Sequence, residues 1–215
     1  YIVDDANAFP FMDIDDTGLT ELLLVNKGAG FRQGNGLGID ELRITDTTDG
    51  TDFILAGAND VQGGVVSIFA GVERVVIGTG TGAIADRSGI ADVNVDASLA
   101  NPGLNVGLEI LGNAGVNIIT GTLFDDVIDG GLGLDTMDGG LGNDRYVMSE
   151  VGDIVTELAG GGNDTLVVAA DFDLSLALLA ADIENLTLQG TNNGHSGTGN
   201  TLDNVIIGSN STNTL

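Results

Sequence analysis

The sequence has no cysteine, so no disulfide holds the fold, although that absence alone does not fix a compartment. Proline occurs only twice, which argues against a flexible linker. Tryptophan is absent and aromatic residues make up 4%, too few for a helical or ordinary globular core. Lysine and arginine together number 6 against 32 acidic residues, a formal charge of −26, which excludes nucleic acid and anionic membrane surfaces as partners. No apolar run is long enough to cross a bilayer and no signal peptide opens the chain, which begins at Tyr1 and reads as an excerpt of a longer polypeptide. The single histidine, His195, lies in TNNGHSGTG and reads as a solvent loop residue. No serine has a base-plus-acid constellation, and acidic pairs are so numerous that any chosen pair says nothing about glycosidase chemistry. The chain is not expected to be an enzyme.

Against these absences stand 35 glycines and a hydrophobic content of 42%, ample for burial. Between Gly112 and Val147 the sequence divides into nines: GNAGVNIIT, GTLFDDVID, GGLGLDTMD, GGLGNDRYV. Glycine opens each unit at Gly112, Gly121, Gly130 and Gly139. The sixth place holds Asn117, Asp126, Asp135 and Asp144, and the eighth holds Ile119, Ile128, Met137 and Tyr146. Glycine permits left-handed backbone and close approach of stacked chains. The last three residues of each unit are predicted to form a short strand whose middle side chain points inward. Stacked turns would then place sixth-place carboxylates about 5 Å apart, a repulsive column unless a cation lies between them. A hard divalent ion suits carboxylates and free turn carbonyls, and calcium tolerates such irregular geometry better than magnesium. With so little basic charge in the chain, metal binding is expected to be coupled to folding.

GGLGLDTMD and GGLGNDRYV resemble the nonapeptide of RTX (repeats-in-toxin, hemolysin-type) proteins, a calcium-binding repeat. The resemblance implies an all-β fold, a right-handed parallel β-roll or β-helix, with calcium held between turns two units apart on the same side. It also implies a secreted, extracellular bacterial protein exported by a type I system, of which this chain is a segment. The expected metal ligands are Asp126, Asp135 and Asp144, with Asp125 and Asp164 as further candidates and Asn117 standing where an acid is missing. Turn backbone would supply other oxygens, from Gly130, Gly131, Leu132 and Gly133 and from Gly139, Gly140, Leu141 and Gly142. The stronger site pairs the turn of Asp126 with that of Asp144, although Leu123 and Phe124 depart from the glycine pattern there. The bland alternative for any one Asp is an exposed turn residue capping its own backbone.

The flanks read as short strands and turns: Leu42 to Ile44, Phe53 to Leu55, Val65 to Phe69, Val72 to Ile77, Val93 to Val95, Leu108 to Leu111, Asp153 to Val155 and Leu166 to Val168. GNGLGID (34 to 40) reads as a turn. Asp13, Asp15, Thr17 and Gly18 imitate an EF-hand start, but Leu24 stands where a bidentate Glu is needed. Leu174 to Ala181 suggests one or two helical turns. GGGNDTLV holds a shortened repeat with Asp164 in the acid place. GNTLDNVIIGS (199 to 209) aligns with GNAGVNIITGT (112 to 122), and VERVVIG with IENLTLQG. Three segments are therefore expected: residues 1–111, a flanking first copy; 112–147, the nonapeptide roll; and 148–215, a second copy ending in a truncated repeat. The leading functional reading is a calcium-binding segment that folds on secretion and serves a larger extracellular polypeptide. The alternatives are a carbohydrate-binding or adhesive module contacting polysaccharide or a cell surface, and an accessory part of a secreted enzyme.

Overall fold

A computed structural model describes residues 22–25, 41–44, 51–56, 65–67, 73–78, 85–100, 107–150, 152–176, 182–190 and 194–215. The EF-hand-like stretch and the GNGLGID turn lie outside the described residues, as does most of the expected helical turn, of which Leu174 to Leu176 form a turn. Seventeen strands lie within the described residues. They are β1 (Leu22–Val25), β2 (Glu41–Ile44), β3 (Thr51–Ala56), β4 (Val65–Ser67), β5 (Arg74–Ile77), β6 (Val93–Leu99), β7 (Glu109–Leu111), β8 (Ile118–Thr120) and β9 (Val127–Asp129). There follow β10 (Thr136–Asp138), β11 (Arg145–Met148), β12 (Ile154–Thr156), β13 (Thr165–Val168), β14 (Phe172–Asp173), β15 (Asn185–Leu188), β16 (Gly197–Thr198) and β17 (Val205–Ile207).

Every strand pairing is parallel. A nine-stranded sheet runs β1-β2-β5-β7-β9-β11-β13-β15-β17, a six-stranded sheet runs β12-β10-β8-β6-β3-β4, and β14 pairs with β16 alone. From β7 to β13 successive strands alternate between the two larger sheets, so the chain winds as a β-solenoid of the β-roll kind. One nonapeptide crosses from sheet to sheet, and two make a coil. The register aligns Ile110, Ile128 and Tyr146 in one sheet and Ile119, Met137 and Val155 in the other. After β11 the coil lengthens, and Tyr146, Leu166, Leu186 and Ile206 align. All three segments expected from sequence contribute strands to the nine-stranded sheet.

The core follows from the strand period. Ile119, Ile128, Met137 and Tyr146 are each fully buried, as are Ile110, Leu166 and Leu186 in the same rows. In the nonapeptide strands β8 to β10 the residues beside them are half-exposed or exposed, as alternation requires. Each buried aliphatic side chain contributes roughly 1.5–3 kcal/mol, so the stack of rows holds the two sheets together without aromatic bulk. Tyr146 is the exception in its column, and its hydroxyl is satisfied: it accepts from Gly139 N at 2.6 Å and donates to Glu157. Three arginines are engaged with carboxylates outside the sixth places. Arg43 bonds Glu41 through Nε at 2.7 Å, Arg74 bonds Glu109 through Nε at 2.6 Å, and Arg87 bonds Asp129 through Nη1 at 2.9 Å.

Candidate metal centre

The sixth-place side chains turn into the layers between coils and stack in two columns, one along each large sheet. Each acid in them uses one oxygen to accept the backbone N–H of its counterpart a coil earlier. In the first column Asp126 Oδ1 accepts from Leu108 N at 2.5 Å, Asp144 Oδ1 from Asp126 N at 2.7 Å and Asp164 Oδ1 from Asp144 N at 2.8 Å. Glu184 Oε2 continues it, accepting from Asp164 N at 2.8 Å. In the second column Asp135 Oδ1 accepts from Asn117 N at 2.8 Å and Asp153 Oδ1 from Asp135 N at 3.1 Å. Asp126, Asp135, Asp144 and Asp164 are all buried.

The second oxygens differ, and the difference sorts the sites. Asp126 Oδ2 is occupied, accepting from Thr122 N at 2.5 Å and from the Thr122 hydroxyl at 3.0 Å. Asp135 Oδ2 and Asp144 Oδ2 are buried and accept no hydrogen bond. A buried carboxylate oxygen without a partner costs several kcal/mol unless a cation meets it. Burial pushes the Asp135 carboxyl up to about 7 and the Asp144 carboxyl up to about 8, with neighbouring carboxylates adding to the rise.

The glycines show what else lines these layers. Gly131, Gly133, Gly140 and Gly142 have φ of 94°, 113°, 95° and 127°, a region side chains rarely adopt. A Cβ at Gly131 would strike the Asn113 carbonyl, at Gly133 that of Gly115, at Gly140 that of Thr122 and at Gly142 that of Phe124. Carbonyls of one turn therefore face the glycines of the turn stacked on it. Carboxylates and carbonyls together are the oxygen donor set that calcium takes, so the residues present fit that ion. Gly130 and Gly139 lie against the carboxylates of Asp135 and Asp144, while Leu132 and Leu141 point into solvent and offer only backbone.

The remaining candidates separate. Asp125 is exposed and accepts from Asn143 N at 2.7 Å, tying adjacent turns from outside the column. Asn117 takes the Asn113 N–H at 2.9 Å on its Oδ1 and donates from Nδ2 to Val93 O at 2.7 Å, so its carboxamide is satisfied without a cation. Beside that turn, the Arg87 guanidinium donates to Gly112 O and already supplies positive charge. Asp153, Glu157 and Glu184 were not among the candidates read from sequence. Asp153 stands nine residues after Asp144, in a unit whose opening glycines are absent, so period alone could have found it. Glu157 and Glu184 carry no such signal. One carboxylate oxygen from each of Asp144, Glu157 and Asp164 lies within 4.8 Å of the others. His195 lies apart from both columns, its Nδ1 3.7 Å from Asp171.

No curated protein and no solved structure matches the chain. The family model of the RTX calcium-binding nonapeptide repeat does match, in four copies, over residues 111–146. Those residues hold the alternating strands β8 to β10, the four left-handed glycines and Asp126, Asp135 and Asp144. Stacked coils of glycine turns, inward aliphatic rows and buried columns of acid thus mark residues 111–146 as a segment of RTX calcium-binding repeats.

Proposed function

We propose that this chain is a calcium-dependent folding module of a larger secreted protein, with Asp126, Asp135, Asp144 and the facing turn carbonyls as its principal ligands. Calcium-binding repeats in a β-roll form a structural module, and RTX repeats are typical of secreted bacterial proteins. The observation that carries the reading is the pair of buried, unpartnered oxygens on Asp135 and Asp144. An ion there supplies the opposite charge that the sequence withholds and links one coil to the next. On this reading the roll orders once it reaches calcium outside the cell, which suits export in an extended state by a type I route. No helix among the described residues is long and apolar enough to cross a membrane.

The test is far-ultraviolet circular dichroism with chelator and with millimolar calcium. The β signal and the melting temperature are expected to rise with calcium and fall with chelator. A spectrum and melting temperature indifferent to chelator, in protein shown by metal analysis to carry no ion, would overturn the proposal.

A further inference from the structure

Resting on the calcium-module reading, we infer that Arg87 is a resident cation, joining the turn of Asn117 to that of Asp135 without metal. Arg87 lies between β5 and β6, outside residues 111–146, and its guanidinium reaches the ends of β7 and β9. Its Nε donates to Gly112 O, its Nη1 to Asp129 Oδ2 at 2.9 Å and its Nη2 to Asp129 O at 3.4 Å. Gly112 follows β7 and Asp129 ends β9, neighbouring strands whose register pairs Leu111 with Asp129. One side chain therefore grips two stacked coils through carbonyl and carboxylate oxygens. That is the bridging duty an ion performs elsewhere in the roll. The Arg87 and Asp129 side chains are 27% and 22% exposed, which shields the pair from much of the solvent that weakens surface ion pairs.

The segment that carries Arg87 is fixed onto the same turn. Gly89 O accepts from Ala114 N at 2.8 Å, and Ala91 O accepts from Asn113 Nδ2 at 3.0 Å. Asn113 Oδ1 accepts from Gly115 N at 2.8 Å, and Asp129 Oδ1 accepts from Gly131 N at 2.9 Å. A Cβ at Gly131 would lie 3.2 Å from Arg87 Nη2, so the guanidinium packs directly on the left-handed turn. Asp135 reaches this joint with Oδ1, which takes the Asn117 N–H, while its bare Oδ2 is left for an ion. A guanidinium stays charged at every physiological pH and is present whatever the calcium concentration. The joint therefore closes before calcium arrives, and the metal-dependent layers build on it.

Hydrogen exchange of backbone amides in the full chain, followed by NMR in chelator, reads the joint directly. Gly112 N–H bonds Asp129 O at 2.8 Å and Leu132 N–H bonds Asn113 O at 3.0 Å across the joint. Gly121 N–H, at the same place of the next nonapeptide as Gly112, bonds Asp138 O at 2.7 Å and serves as the comparison. In chelator Gly112 and Leu132 should exchange at about a tenth of the Gly121 rate or less. Arg87→Gln should erase that protection, yet bind as many calcium ions as the parent by calorimetric titration. If Arg87→Gln does not fold in calcium, Asp129→Asn decides in its place, since it keeps the acceptor for Gly131 N and removes the charge. Protection retained in the variant overturns the inference. Loss of a calcium ion does so too, because Arg87 would then brace a metal site instead of standing in for one. A roll that needs calcium but protects Gly112 no better than Gly121 in chelator overturns the resident cation and leaves the module reading standing. A roll equally ordered with and without calcium overturns the module reading, and the variant's effect on Gly112 then decides the cation alone.

Discussion

At the scale of single residues, the contrast between Asp and Asn in the sixth place decides where a cation is needed. Asn117, Asn204 and Asn213 occupy that place in other turns, and each turns its Nδ2 onto a carbonyl: Val93 O at 2.7 Å, Glu184 O at 3.1 Å and Ser209 O at 2.9 Å. A carboxamide supplies donor and acceptor together and closes its turn unaided. A carboxylate accepts only, so Asp135 and Asp144 keep a naked oxygen. Asp135→Asn should retain the bond from Asn117 N while losing the charge, weakening calcium binding about tenfold, or about 1.4 kcal/mol. In chelator the same variant should be no less ordered than the parent, since an uncompensated buried charge has gone. Calorimetric titration and circular dichroism check the two halves. Asp203→Asn, at an exposed position, is the control, and an equal loss there would show that general charge, not the column, sets affinity.

At the scale of the element, the nonapeptide is a turn and a strand with separate duties, and each was legible to a different degree. The strands IIT, VID, TMD and RYV fall where the period put them, because a large residue recurring at the eighth place of every nine reads directly as an inward-facing strand centre. The glycine-rich turns were legible, and the left-handed φ of Gly131, Gly133, Gly140 and Gly142, at the second and fourth places, is what a side chain would oppose. Two costs can be separated by substitution. Gly160 has φ +75° with nothing within 4 Å of a Cβ, whereas at Gly133, φ +113°, a Cβ would also run into the Gly115 carbonyl. Gly160→Ala should cost about 1 kcal/mol, the strain alone. Gly133→Ala should cost roughly 3 kcal/mol or more, because backbone must move apart. Urea unfolding of both in saturating calcium measures the difference. Equal costs would mean that coils separate freely at Gly133.

At the scale of the whole molecule, buried acid makes stability depend on pH in opposite senses with and without calcium. Burial pushes Asp126 up to about 6, Asp135 to about 7 and Asp144 to about 8, and it pushes Glu157 to about 7 and Asp164 to about 6. Without metal, the folded roll therefore keeps protons that the unfolded chain releases near 3.8 for aspartate. Its stability is greatest below that value and declines as pH rises toward about 8. The net charge of −26 adds self-repulsion in the same direction. With calcium the order reverses, since the ion displaces those protons and binds more tightly as pH rises. Melting in chelator should give a higher midpoint at pH 5 than at pH 8, and calcium titration at pH 6 should release protons to the buffer. A metal-free chain more stable at pH 8 than at pH 5 would contradict the buried columns.

The sequence by itself determined the repeat, the parallel roll, the inward rows and the residue types of a calcium site, because each depends on a period short enough to read locally. Tertiary structure alone decided which oxygens stay unpartnered. Thr122 closes on Asp126 while nothing closes on Asp144, and Glu157 arrives beside Asp164 from the opposite sheet. That outcome depends on how many residues each coil takes to return, and on which side chain the next layer sets above it. Coil length changes from eighteen to twenty only after Asp144, outside the nonapeptide period, and so the meeting of those three acids follows from the winding of the chain.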